Sequence, residues 1–240
     1  MVIAAVAAVA VLVVCGLFSW RVFEDELAGN ADHGQGDPSS APVRDISSRE
    51  ADPEPLTVDE VFPDDRVVIN ADENPYRVLG TEATEDCSVA VADALADLLA
   101  DLDCAQVVRA TLRSPNDQFL VTTGIFNLAT RDEALRAYEE IPPIVDEQTG
   151  RFVGLLAGEG TEPIMISETR LGWDYRGHYL LYAVVAKADG TNFTADDDRY
   201  AQLIIWDMVE VHLRTGVLEA RATAPSASGS PQPSPSPDGG

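Results

Sequence analysis

Lysine is nearly missing from this chain: of its 16 basic residues only Lys187 is a lysine, and they face 41 acidic ones, for a formal net charge of −25. A surface of that sign repels phosphate backbones and anionic headgroups, so nucleic acid is excluded as a partner. Histidine and cysteine are scarce too, with three of each. His33, His178 and His212 stand far apart, and neither H-E-x-x-H nor G-x-S-x-G occurs, so each histidine reads as structural and no zinc site or hydrolase triad is formed by motif. No metal, cofactor or catalytic set is assigned. The scarcity of lysine beside abundant Ala and Val has the look of a high-GC bacterial genome.

What is present begins with an apolar run. Residues 1–20 contain no charged side chain, and Val2 to Phe18 is apolar or Gly throughout. That approaches the ~20 residues a helix needs to cross a bilayer, with Trp20 and Arg21 at the interfacial end. A cleaved signal peptide would have a charged n-region, a shorter apolar core and an A-x-A-like site. Residues 1–20 are therefore read as a transmembrane anchor in the lipid bilayer. Val14 before Cys15 argues against lipidation. Arg21 by itself favours a cytoplasmic domain by the positive-inside rule, but Glu24, Asp25, Glu26 and a cysteine pair oppose it, and a basic leader upstream of Met1 would resolve the conflict. The soluble domain is expected outside the cytoplasm.

Residues 21–56 are rich in Gly, Pro, Ser and acidic side chains and read as a disordered tether; residues 222–240, with five Pro and five Ser, read as a disordered tail. The domain between them, 57–221, alternates turn signals with periodic segments. Tyr76–Thr84 is a strand. Asp86 caps a helix whose stripe of Val91, Leu95, Leu98 and Leu102 faces a core, with Asp93, Asp97 and Asp101 on a wet face. Residues 106–113 alternate as a strand with one buried face, Ser114-Pro115-Asn116-Asp117 turns the chain, and Phe119–Phe126 returns it. Thr130 and Glu133 make a capping box for a helix ending near Pro142, and Phe152–Ala157 follows as a strand. The order β-α-β-β-α-β predicts an α+β fold with a ferredoxin-like sheet covered by helices on one face. Segments 164–169 and 179–187 extend it by a further hairpin, and a last helix, 196–214, buries Tyr200, Ile204, Met208 and Val211.

Cys104-Ala105-Gln106-Val107-Val108-Arg109-Ala110-Thr111, Val121-Thr122-Thr123-Gly124-Ile125, the helix opening at Thr130 and the pair Cys87 and Cys104 together resemble a class of uncharacterised, single-span, membrane-anchored actinobacterial proteins. That class has no established activity. The resemblance covers the domain core and implies a location in the cell membrane; it implies no site residues.

Cys87 and Cys104 are either free thiols or disulfide-bonded. If one unbroken helix joined them, 17 residues at ~1.5 Å would set their Cα atoms roughly 25 Å apart, against the ~4.4–6.8 Å of a disulfide. With no Gly or Pro between Val91 and Leu102, a continuous helix is expected and no bridge within one chain; a two-fold dimer could exchange bridges instead. Arg109 and Arg113, on one strand face, can contact an anion or pair with carboxylates, and the acidic excess favours pairing. GLLAGEG, residues 154–160, lacks a following G-K-[ST] and reads as a turn; Asp196, Asp197 and Asp198 complement a helix dipole without calcium, for which 189–198 has the wrong spacing. The chain reads as a non-catalytic binding or interaction module with an unidentified protein or cell-envelope partner, and a homodimer through its sheet is compatible with that reading. The other reading is a hydrolase whose carboxylates, drawn from Glu159, Glu162, Glu168 and Asp174, are dispersed in sequence.

Overall fold

The computed structural model describes residues 44–224. The run 1–20, Cys15, His33, the tether up to residue 43 and the tail from residue 225 lie outside the described residues. Among those described, no helix is long and apolar enough to cross a membrane.

The centre is a six-stranded sheet built from β1 (Arg66–Val67), β2 (Tyr76–Thr84), β4 (Gln106–Arg113), β5 (Phe119–Asn127), β7 (Thr169–Arg176) and β8 (Tyr179–Lys187). Its order is β1-β2-β4-β5-β8-β7, and every neighbouring pair is antiparallel. Two shorter strands, β3 (Val91–Asp93) and β6 (Gly150–Phe152), pair apart from it as an antiparallel ribbon. The class is α+β, as the sequence implies. The ferredoxin-like topology is not found, because β6, the strand after the helix that opens at Thr130, pairs with β3 outside the main sheet, and β2 lies directly beside β4, antiparallel to it.

Helices cover both faces, which also departs from the one-sided cover expected. On one face pack α1 (Val58–Val61) and the continuous helical run of α5 (Ala195–Trp206), a π-helical stretch (Asp207–Leu218) and α6 (Glu219–Thr223). On the other pack α2 (Ala94–Asp101) and α3 (Arg131–Asp146), with the short α4 (Pro163–Ile166) nearby. Strands covered on both sides must be apolar on both sides. Accordingly every residue of β5 and all of β8 up to Ala186 are buried, and in β4 Val107 and Val108 are buried alike. The π-helical register answers the spacing of the apolar residues: Ile204, Met208, Leu213 and Val217 are buried at steps of four and five, wider than a 3.6-residue turn allows. Val211, expected in the core, is half-buried for that reason.

Three further expectations are corrected. The helix 87–104 is broken: Cys87–Ala90 is a 3₁₀ turn capped by Asp86, Val91–Asp93 is a strand, and α2 starts only after Asp93, whose φ of 59° reverses the chain. Pairing with β6 wins over helix propensity here, and it brings Cys87 to Cys104 in an intramolecular disulfide with Cα atoms 6.3 Å apart. Neither free thiols nor bridges exchanged between chains remain for this pair. Second, α3 runs through Pro142 and Pro143 to Asp146, because the burial of Ile141 and the bonds Glu147 N–H to Pro143 O and Thr149 N–H to Ile144 O hold its last turn. Third, residues 163–166 are helical and the edge strand is Thr169–Arg176, so the final hairpin turns tightly at Gly177.

The folded unit also starts before residue 57 and ends after 221. Ile46, Asp52 and Leu56 are buried, the Arg44 N–H donates to Ala222 O, and the helix continues to Thr223. A tether composition does not prevent packing when a few side chains meet buried partners, and Asp52 meets three. It accepts from Arg44 Nε (2.6 Å), from the Tyr179 hydroxyl (2.7 Å) and from Arg221 Nε and Nη2 (2.7 and 3.0 Å). Arg221 also grips Glu60 through Nη1 and donates to Glu54 O.

Candidate anion-binding cleft

The N-terminal segment wedges between two elements of the far end of the sheet. Arg49 N–H donates to Ala129 O and Arg131 N–H to Ser47 O, which zips the segment onto the entrance of α3, while both His178 N–H and Nδ1 lie 2.9 Å from Ile46 O at the β7–β8 turn. The turn requires glycine: Gly177 has φ +56°, and a Cβ there would fall 2.1 Å from Ile46 O. The wedge leaves a cleft of about 680 Å³ lined by Arg44, Arg131, Tyr175, Arg176 and Arg214, with Asp45 its one acidic lining residue.

Four separate elements thus deliver four guanidiniums to one place in a chain that has 16 basic residues. Three are oriented by carboxylates. Arg44 binds Asp52 and Glu54, Arg176 binds Glu219, and Arg214 binds Asp174 (3.0 Å) and Glu210 (3.2 Å). A guanidinium has five N–H donors in a rigid fork, so these pairs fix its plane and leave donors over. Arg176 uses Nη2, and Arg214 uses Nη1. Arg131 is exposed and makes no ion pair among the described residues. It is the first residue of α3, a 16-residue helix, where a cation opposes the positive end of the helix dipole. An anion seated in the cleft would relieve both positive charges at once.

Other polar clusters serve the fold. Arg109, read from the sequence as a possible anion contact, is buried and spends its donors on Glu82 (2.7 Å) and Val153 O (3.1 Å). Arg113 touches Asp117 O and Gly160 O at 3.4 Å. Both hold the segment 153–160 across the sheet, together with Thr111, which donates to Leu155 O, and Thr122, which accepts from Leu155 N–H. The GLLAGEG stretch is therefore a cover pinned by side chains, with positive φ at Gly158 and Gly160. Thr194 and Asp197 form the capping box of α5. Glu159 and Glu162 are exposed, Glu168 is held below the ordinary carboxylate range by its bond from Arg170, and Asp174 is spent on Arg214. These four carboxylates are not gathered into one cleft.

One other carboxyl differs. Burial pushes Asp207 above the ordinary range, opposed by the 2.6 Å hydrogen bond that Tyr76 donates and assisted by the charge of Glu73. It lines a cleft of about 590 Å³ with Glu73, Asn74, Asn116 and Tyr200.

No family model matches the chain, and neither a curated protein nor a solved structure matches it. The resemblance to single-span actinobacterial proteins gains no support from these comparisons. Arg44, Arg131, Arg176 and Arg214 carried no local sequence signal: they span 170 residues, and the first lies in a stretch with the composition of a tether. The scarcity of cations is the one clue that could have raised them.

Proposed function

We propose that this chain is a membrane-anchored module outside the cytoplasm that binds an anionic ligand, without catalysis, in the cleft of Arg44, Arg131, Arg176 and Arg214. The convergence of four guanidiniums carries the reading, since a chain of net charge −25 gathers cations in one place against its own composition. The same net charge disfavours long polyanions, so the ligand is a compact anionic group on a cell-envelope component. The Cys87–Cys104 disulfide supports a compartment outside the cytoplasm, and the apolar run 1–20 supports the anchor.

The test is calorimetric titration of the full chain with inorganic phosphate at low ionic strength. Binding that weakens at least tenfold in Arg131→Gln, a change that breaks no ion pair, is the expected result; unaltered binding in that variant would sink the cleft as the site. A reporter fused after Gly240 should be active outside the cytoplasmic membrane, and cytoplasmic activity would overturn the localisation.

A second reading, a hydrolase with dispersed carboxylates, is favoured by the raised Asp207 alone, because a general acid needs such a shift. Hydrolysis of p-nitrophenyl glycosides that Asp207→Asn abolishes would carry it, and none across a panel would refute it.

A further inference from the structure

The cleft does not end at its arginines. Tyr175 forms part of its wall, and the ring of Tyr138 packs on that of Tyr175 with centroids 5.5 Å apart at 51°. Tyr138 lies on α3 seven residues after Arg131, hence on the same helix face and ~10 Å along the axis. Tyr138 is 40 % exposed, among the few large apolar residues so placed, and the Trp173 Nε1–H donates to its backbone carbonyl at 3.3 Å, which ties this turn of α3 to β7. One end of this strip therefore offers oriented N–H donors, and the other offers two aromatic faces.

We infer that the ligand is an anionic saccharide, with its phosphate or carboxylate at Arg131, Arg176, Arg214 and Arg44 and a sugar ring laid against Tyr138 and Tyr175. This rests on the anion-binding reading and deepens it. A sugar ring presents a face of C–H bonds with partial positive charge, and an aromatic ring presents a negative face, so the two stack where a planar apolar group is left exposed beside polar donors. A bare inorganic anion would use the arginines and leave the tyrosine pair without a role. An apolar peptide would use the tyrosines and leave Arg131 without an acidic partner among the described residues.

The experiment titrates the full chain, kept in a detergent without a sugar headgroup, with inorganic phosphate, glucose 6-phosphate, mannose 6-phosphate and glucose. At least one hexose phosphate should bind tenfold or more tightly than inorganic phosphate and than glucose. Tyr138→Ala should bring that ligand to within about twofold of inorganic phosphate, whose own affinity stays unchanged, while Tyr138→Phe keeps the wild-type preference. Tyr138 is exposed enough that its truncation should leave the thermal transition in place, which a parallel melt checks. Equal affinity for inorganic phosphate and both hexose phosphates overturns the saccharide and leaves the anion reading standing. Glucose binding as tightly as its phosphate, or no binding of any of the four, overturns both.

Discussion

Removing the carboxylate of Asp52 should be among the most destabilising single changes in this domain. Its side chain is fully buried and accepts four hydrogen bonds from three residues, two of the bonds from Arg221, whose own side chain is 3 % exposed. In Asp52→Ala, Arg221 keeps Glu60 and Glu54 O, but Tyr179 loses its acceptor in the core and Arg44 keeps only an exposed partner. Breaking one side of a buried ion pair typically costs about 3–5 kcal/mol, and the orphaned Tyr179 hydroxyl would add ~1–3 if the effects were independent, which in one network they are not. About 3–5 kcal/mol is expected, a large share of the ~5–15 kcal/mol by which domains are stable. Urea denaturation followed by the fluorescence of Trp173 and Trp206 measures it. The double change Asp52→Leu with Arg221→Met should recover much of the loss, because it removes the desolvated charges together. A loss under about 1 kcal/mol in the single variant, or a double variant no more stable than Asp52→Ala, would refute the reasoning. The pH sign follows from the depressed Asp52: burial alone would raise its pKa, but the bonds from Arg221 and Tyr179 and the charges of Arg221 and Arg44 hold it below the ordinary value. Its contribution is therefore complete above the unfolded pKa of about 4 and is lost as pH falls below that. By the same contacts, a chain shortened to begin at residue 57 should be far less stable than one beginning at 44, and limited proteolysis should spare residues 44–56.

Two other outcomes are expected. Cys87 and Cys104 close a loop of 17 residues, so Cys87→Ala with Cys104→Ala should lose about 3 kcal/mol in urea titration, and the unfolded, unreduced wild-type monomer should alkylate at no thiol of this pair; a reducible dimer on a non-reducing gel would contradict it. His212, beside Phe62 with ring centroids 5.5 Å apart, has its pKa lowered from 6.5 to about 4 by burial, against a raising contact from Val61. The folded state therefore binds a proton less readily than the unfolded one, and stability present above pH 6.5 should fall on the order of 3 kcal/mol by pH 4, a slope that His212→Phe should flatten in thermal melts and that an unchanged slope would disprove.

The sequence by itself determined the elements whose signals are local. Tyr76–Thr84 and Tyr179–Lys187 stand where β-branched and aromatic residues cluster between turn residues, and the caps at Asp86 and Thr130 are chemistry between residues two or three apart. The core stripe of Val91, Leu95, Leu98 and Leu102 was legible as well, although not as one helix, since burial follows apolarity whichever backbone carries it. Tertiary structure decided what depends on distant partners. Asp93 turns the chain because Val91–Asp93 finds Gly150–Phe152, a pairing no window of sequence contains, and the disulfide exists only because of that turn. The strand order and the packing of residues 44–56 are of the same kind: β5 finds β8 across more than fifty residues, and Asp52 meets Tyr179 and Arg221 across more than a hundred. The arginine cleft is the extreme case, because a guanidinium at 44, 131, 176 or 214 looks alike on any exposed surface, and only the folded chain carries the four to one place.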